Sequence, residues 1–180
     1  MKIALPARVK LPREVLIGIG ILLLVALLIF AGWSLYKEMD RTARITSLND
    51  AIAGSQEVLL PLNADISALL TSLPDRPSPG ECDAYMLGLR ALSDRGVVLT
   101  AVHRAEVAGV DAPLSVAGAQ GAYLDAIDHL NRAFALWGAA ADAYFRDDYD
   151  GAQASIDRAD GEWQAYLQSI GDCQRIAAGG

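Results

Sequence analysis

The amino-acid sequence predicts an all-α protein in which one N-terminal transmembrane helix continues into an extracytoplasmic antiparallel helical bundle. Three observations carry this prediction. An uncharged apolar segment lies near the N-terminus, apolar residues recur at helical spacing along the rest of the chain, and no stretch alternates between apolar and polar residues as a strand does. The chain is therefore expected to combine a membrane-spanning element with a helical domain outside the cytoplasm.

The first element is an apolar segment, Val15 to Tyr36, that contains no charged residue. At 1.5 Å per residue it spans about 33 Å, which exceeds the roughly 30 Å of a bilayer's hydrocarbon core. Trp33 and Tyr36 lie near its end, where an interfacial aromatic belt is expected. The alternative is a cleaved signal peptide, but no small-x-small cleavage site follows the apolar run. We interpret residues 15–36 as a membrane helix.

The basic residues that flank this segment predict its orientation. Four Lys or Arg residues precede it, whereas the three that follow are mixed with acids, and this bias favours a cytoplasmic N-terminus. Beyond residue 44 the chain has 19 acidic residues, 8 arginines and no lysine. A domain this negative does not suit nucleic acid or anionic lipid and is expected on the far side of the membrane. The high content of alanine and arginine favours a bacterial source.

Loops and changes in composition divide the chain into six segments. They are a short basic cytoplasmic tail (1–14), the transmembrane helix (15–36), a helical stalk and first bundle helix (37–73), a Pro-rich loop (74–80), the remaining helices of the bundle (81–176) and a C-terminal tail (177–180). Pro61 is expected to kink or break the first bundle helix near Leu60, because proline lacks an N–H and its ring clashes with the preceding turn.

Three helical stretches follow the Pro-rich loop, at about 81–107, about 114–145 and from residue 149 onward. Gly96 marks a possible break in the first of them. The predicted inward face of that helix comprises Cys82, Tyr85, Leu89, Leu92, Leu99 and Val102. That of the next helix comprises Ala119, Tyr123, Ala126, Ile127, Leu130, Phe134, Trp137, Ala141 and Tyr144.

The two cysteines, Cys82 and Cys173, predict a disulfide, because an even pair in an oxidising compartment is typical of one. A disulfide requires Cα atoms within about 7 Å of each other. Three simple antiparallel helices would place these cysteines at opposite ends of the bundle. We therefore expect either a break near Arg95 and Gly96 or no disulfide, in which case the cysteines are two unrelated buried thiols.

Small residues predict a packing surface on the membrane helix. They are Gly18, Gly20, Ala26, Ala31 and Gly32. These residues do not form G-x-x-x-G, so they favour packing against another protein's membrane helix over self-dimerisation. The expected partners are integral membrane subunits of a larger complex and the lipid bilayer, with no nucleic acid.

The acidic run Asp147, Asp148 and Asp150 before Gly151 has some of the spacing of a calcium loop, but Arg146 occupies the first ligand position. Carboxylates at a helix start also cap free N–H groups, and we favour that interpretation.

Two histidines lie one helical turn from an acid, His103 with Glu106 and His129 with Asp125. Because zinc takes three or four ligands, these pairs are interpreted as surface residues. No haem, phosphate-binding or nucleophile motif is present, and no catalytic residue, metal or cofactor is expected.

Two resemblances are partial. The segment from Leu136 to Asp160 resembles a single tetratricopeptide-type helix pair, which we interpret as generic hairpin packing because no second copy occurs. The overall plan resembles the four-helix external domains of bacterial chemoreceptors, in which a membrane helix runs into the bundle. The sequence departs from that plan because it predicts no second membrane span and no cytoplasmic signalling region.

Three functions remain open. The preferred hypothesis is a non-enzymatic, membrane-anchored accessory or structural subunit of a larger membrane complex. The alternative is an anchored, sensor-like module that binds a ligand or a protein, with a pocket lined by Trp137, Trp163 and neighbouring tyrosines; a solid core at that place would contradict it. The third is an enzyme, which would require a cleft with converging polar groups.

Overall fold

The computed structural model describes residues 13–72, 74 and 77–179, with side chains from residue 27 onward except those of residues 31 and 179. In this part of the chain it has four helices: α1 (Arg13–Leu70), α2 (Pro79–Ala108), α3 (Leu114–Tyr144) and α4 (Tyr149–Gly179). No described residue belongs to a strand, which confirms the all-α prediction. The chain divides into two compact units, residues 1–42 and 43–180.

In the second unit the three C-terminal helices run antiparallel to one another in sequence order. Asp83, near the start of α2, accepts a hydrogen bond of 2.9 Å from the hydroxyl of Tyr144 at the end of α3. The carbonyl of Ala119, near the start of α3, accepts one of 3.4 Å from Sγ of Cys173 near the end of α4. Each consecutive helix therefore reverses direction.

The C-terminal part of α1 completes an up-down-up-down four-helix bundle. Tyr123 of α3 donates a 3.0 Å hydrogen bond to Oγ of Ser55, and Arg44 pairs with Asp111 just before α3 begins. These contacts advance together along both helices, so α1 runs parallel to α3 and antiparallel to its two neighbours.

Buried apolar side chains from all four helices form one core cluster in this unit. α3 contributes the largest share of these buried side chains. Its predicted inward face is confirmed, because the residues of that face from Ala119 to Ala141 are buried and Tyr144 is half-buried. Burying one large apolar side chain contributes about 1.5–3 kcal/mol. The core therefore centres on α3.

The inward face of α2 differs from the prediction. Leu89 is buried as expected, but Ser93, Gly96 and Thr100 follow it into the core, whereas Val102 is 46% exposed. Small residues line this seam because they let the large side chains of α3 approach the backbone of α2. The buried Thr100 hydroxyl is satisfied by a 2.7 Å hydrogen bond that it donates to the Gly96 carbonyl.

Neither of the two predicted helix interruptions is a helix end. α2 is continuous through Gly96, where the absence of a side chain admits the ring of Phe134. α1 is continuous through Pro61. Leu59 and Leu62, on either side of that proline, are buried, and their packing favours continued helix. Pro61 itself is exposed, so water can bond the carbonyl that lacks its helical partner.

α2 begins two residues earlier than predicted because of a capping box. The backbone N–H of Ser78 donates to Oε2 of Glu81 at 2.7 Å, and Oγ of Ser78 accepts from the backbone N–H of Glu81 at 3.4 Å. Pro79, at the first helical position, needs no N–H there. The predicted Pro-rich loop therefore ends at Ser78.

Candidate ligand cleft and anchor surface

The exposed apolar side chains of the first unit form what we call the anchor surface. Its members are each 59–73% exposed: Leu27, Leu28, Ile29, Phe30, Trp33, Leu35, Tyr36 and Met39. The ammonium of Lys37 lies 5.4 Å from the ring centroid of Trp33, an arrangement that permits a cation–π interaction. This surface has no protein cover within the described residues.

The predicted membrane span and its packing residues are only partly described. Gly18, Gly20, Ala26 and Ala31 lie outside the residues whose surroundings the structure describes. Gly32 is exposed, and a Cβ placed on it would meet nothing within 4 Å. A search of the described residues finds no helix of sufficient length and apolarity to traverse a bilayer.

The predicted disulfide is absent, and Cys82 and Cys173 are free thiols. Cys173 contacts Ala119 at the start of α3, whereas Cys82 precedes Asp83, which bonds Tyr144 at the end of α3. These two ends are about 37 Å apart along the helix. Of the two outcomes expected from the sequence, a break in α2 or no disulfide, the structure therefore has an unbroken α2 and no disulfide.

The acidic run before Gly151 caps α4. Oδ1 of Asp148 accepts a 2.9 Å hydrogen bond from the Gly151 N–H, and Asp147, at a positive φ of 59°, accepts one of 3.1 Å from the Tyr149 hydroxyl. A Cβ on Gly151 would lie 2.1 Å from Oδ2 of Asp148, so glycine makes room for the cap. No group of three potential metal ligands occurs among the described residues.

The two histidines pair with carboxylates, one of them across helices. His103 Nδ1 lies 2.7 Å from Glu106, as the sequence spacing suggested. His129 contacts Glu162 of α4 at 2.7 Å instead of the acid on its own helix, and Arg132 shares that carboxylate at 2.8 Å. The hydrogen bond from Arg132 is the main cause that lowers the pKa of Glu162.

The tryptophans fill the core rather than line a pocket. Trp137 is fully buried, and its ring centroid lies 5.6 Å from that of Phe134 and 5.7 Å from that of Trp163. The described cavities include neither tryptophan. The pocket that the sequence placed between these two rings is therefore occupied by the rings themselves.

A cleft of about 210 Å³ opens instead between α1, α3 and α4. Its lining side chains are Gln56, Leu59, Leu60, Tyr123, Ile127, Tyr166, Ile170 and Gln174. Sequence analysis assigned Tyr123 to a packing face and missed the cleft. The available signal was two polar residues, Ser55 and Asn63, on the otherwise apolar inward face of α1.

Each tyrosine of the cleft is held by one polar side chain of α1. Tyr123 donates to Oγ of Ser55 at 3.0 Å, and the Tyr166 hydroxyl accepts from Nδ2 of Asn63 at 2.9 Å. Burial raises the pKa of both phenols, so both are neutral at pH 7. The arrangement can present uncharged hydroxyl groups over an apolar floor.

Fold and sites together define an all-α four-helix bundle that follows an exposed apolar helical segment and carries a small neutral cleft. Comparison of this chain with protein-family models, with curated proteins and with solved structures finds no match.

Proposed function

We propose that this protein is a non-enzymatic, single-pass membrane-anchored accessory or structural subunit of a larger membrane protein complex. In this proposal residues 15–36 cross the bilayer, the N-terminus is cytoplasmic and the bundle is extracytoplasmic. The anchor surface carries the proposal, because its apolar side chains are largely exposed on all sides of the helix. Such a surface is unfavourable in water, at about 25 cal/mol per Å², and favourable in hydrocarbon.

A second exposed apolar surface supports docking of the bundle on another protein. Leu87, Val98 and Val102 of α2 are 57%, 61% and 46% exposed. Leu87 and Val98 lie about three helical turns apart, and Val98 and Val102 lie about one turn apart, so all three share the outer face of α2. An apolar stripe on an acidic bundle is typical of a protein interaction site.

The subunit proposal is tested by solubilising the native membrane in mild detergent, sizing the particle and identifying its components by mass spectrometry. We expect co-migration with larger membrane subunits. Val98→Asp should release the chain, whereas Gln168→Asp, the same charge at an exposed position on α4, should not. Migration of the native chain as a lone particle would exclude the subunit role.

The anchor is tested separately by alkaline extraction of membranes. The full chain should remain in the membrane pellet. The double substitution Leu28→Lys and Ile29→Lys should release it, because each charge costs about 2.5–3.5 kcal/mol in the middle of a membrane helix. The matched control is the double substitution Gln164→Lys and Gln168→Lys, at two exposed positions of α4. Release of the unaltered chain would contradict a membrane span.

The second candidate function is an anchored ligand-binding module. The solid core around Trp137 contradicts the site that the sequence predicted for this module, but the cleft between α1, α3 and α4 favours the module at a different place. It differs from the subunit role in its readout, because a ligand that binds the folded bundle raises its unfolding temperature. Both roles are compatible with one chain.

A further inference from the structure

We propose that the cleft between α1, α3 and α4 binds a neutral, mostly apolar small molecule that carries one hydroxyl or carbonyl group. This inference rests on the second candidate function, the ligand-binding module, and names the chemistry of its ligand; it is independent of the subunit role. Loss of the anchor or of the docking stripe leaves it intact, and failure of ligand binding leaves the subunit role intact.

The lining excludes a charged ligand. The eight side chains that form the cleft are four aliphatic residues, two tyrosines and two glutamines, none of which is charged at pH 7. A charged molecule would lose hydration there without an opposite charge to compensate for it. The aliphatic floor, which includes Leu59 and Ile127, favours an apolar body.

The polar groups of the cleft favour one hydrogen-bonding group on the ligand. The Tyr166 hydroxyl accepts from Asn63, which leaves its own proton for an acceptor on the ligand. The Tyr123 hydroxyl donates to Ser55, which leaves its oxygen free to accept. Asn63 is only 8% exposed, and its Oδ1 has no hydrogen-bond partner among the described residues. Asn63 lies behind Tyr166 and does not line the cleft, so the two tyrosine hydroxyl groups are the hydrogen-bonding groups that this argument uses.

The volume of the cleft limits the size of the ligand. A cavity of about 150 Å³ accommodates a benzene molecule. The 210 Å³ cleft is larger by roughly another small ring or a few methylene groups. Two kinds of molecule share this chemistry. An aromatic bicycle with one hydroxyl represents an aromatic ligand, and a medium-length alkyl chain with one hydroxyl represents a lipid-like ligand.

The test uses the full chain in lipid nanodiscs, with isoleucine methyl groups observed by NMR. The probes are 2-naphthol and 1-decanol, with naphthalene as the control without a hydroxyl and naphthalene-2-sulfonate as the charged control. We expect saturable shifts at Ile127 and Ile170 with 2-naphthol or 1-decanol. Whichever binds more tightly identifies the source, and the sulfonate should shift neither residue.

Two variants separate cleft binding from general partitioning. Tyr166→Phe should lower the affinity for the hydroxylated probe by about 2- to 10-fold, which corresponds to one neutral hydrogen bond. The affinity for naphthalene should not change. Leu60→Trp should block the cleft; Leu60 is 59% exposed, so the larger side chain does not disturb the core. The proposal is overturned if neither probe shifts the methyl signals of Ile127 and Ile170. It is also overturned if Tyr166→Phe lowers the affinity for naphthalene as much as that for the hydroxylated probe, or if the Leu60→Trp variant binds the probes as tightly as the native chain.

Discussion

The ring of Phe134 lies directly on the backbone of α2 at Gly96. A Cβ on that glycine would be 2.3 Å from Cγ of the ring, so close a contact that the ring or the helix would have to shift. Phe134 is itself fully buried, so a Cβ at Gly96 would require this ring to shift within the core. The contact explains why α2 tolerates a glycine in its middle, and it gives the first prediction.

Gly96→Ala should destabilise the bundle by about 1–3 kcal/mol, the cost of overpacking a dense core. In an open helical position the same change stabilises by about 0.5–1 kcal/mol. Gly161, with nothing within 4 Å of a Cβ, is the matched control. Urea unfolding followed by circular dichroism measures both. Stabilisation by Gly96→Ala would contradict the packing described here.

Asp148→Ala should destabilise α4 by about 0.5–2 kcal/mol, because its carboxylate caps the Gly151 N–H. Asp148→Asn retains an oxygen acceptor and should preserve most of that stability. Gly151→Ala should also be unfavourable, because a Cβ there meets the capping carboxylate. Thermal unfolding of the three variants checks this prediction, and an Asn variant as unstable as the Ala variant would argue against capping.

The bundle should lose stability in acid partly through Glu162. Its pKa is lowered from 4.5, first by the hydrogen bond from Arg132 and further by His129. A lowered carboxyl pKa stabilises the fold above the unfolded value and loses that effect as the pH falls through the lowered pKa. Glu162→Gln should therefore flatten the acid limb of unfolding temperature against pH, and Arg132→Gln should do so in part. An unchanged acid limb in Glu162→Gln would refute this assignment.

Both cysteines should react with a maleimide in protein purified without a reducing agent. Both thiols are half-buried, but Cys82 should label first. Sγ of Cys173 bonds the Ala119 carbonyl, and burial raises the pKa of Cys173, which reduces its reactive thiolate. Intact mass spectrometry over time measures the two steps. If labelling required prior reduction, the cysteines would be bonded and the order of the helices would have to differ.

Periodicity predicted the parts of the fold in which large apolar side chains face inward. The inward face of α3 was predicted correctly because its residues from Ala119 to Trp137 are mostly bulky or closely spaced apolar groups. On α2 the same reasoning placed Leu89 in the core and Tyr85, Leu92 and Leu99 beside it, but it wrongly included Val102 and missed the small residues at the centre of the contact. There the packing requirement is met by Ser93, Gly96 and Thr100, whose small size carries no hydropathy signal.

The cleft was beyond sequence reasoning for a related reason. Asn63 and Tyr166 are 103 residues apart, and their contact depends on how α1 lies between its neighbours. A polar residue on an apolar face indicates that a partner exists but does not identify it. The free cysteines follow the same logic, because their separation depends on whether α2 bends.

The amino-acid sequence by itself determined the helical class and the acidic character of the chain, because these depend on local periodicity and composition. Only the tertiary structure decided which face of α2 is buried, whether Pro61 and Gly96 interrupt their helices, and where a ligand-sized space opens. These outcomes depend on shape complementarity between side chains distant in the chain. Phe134 over Gly96 is an instance, because neither residue specifies the contact alone.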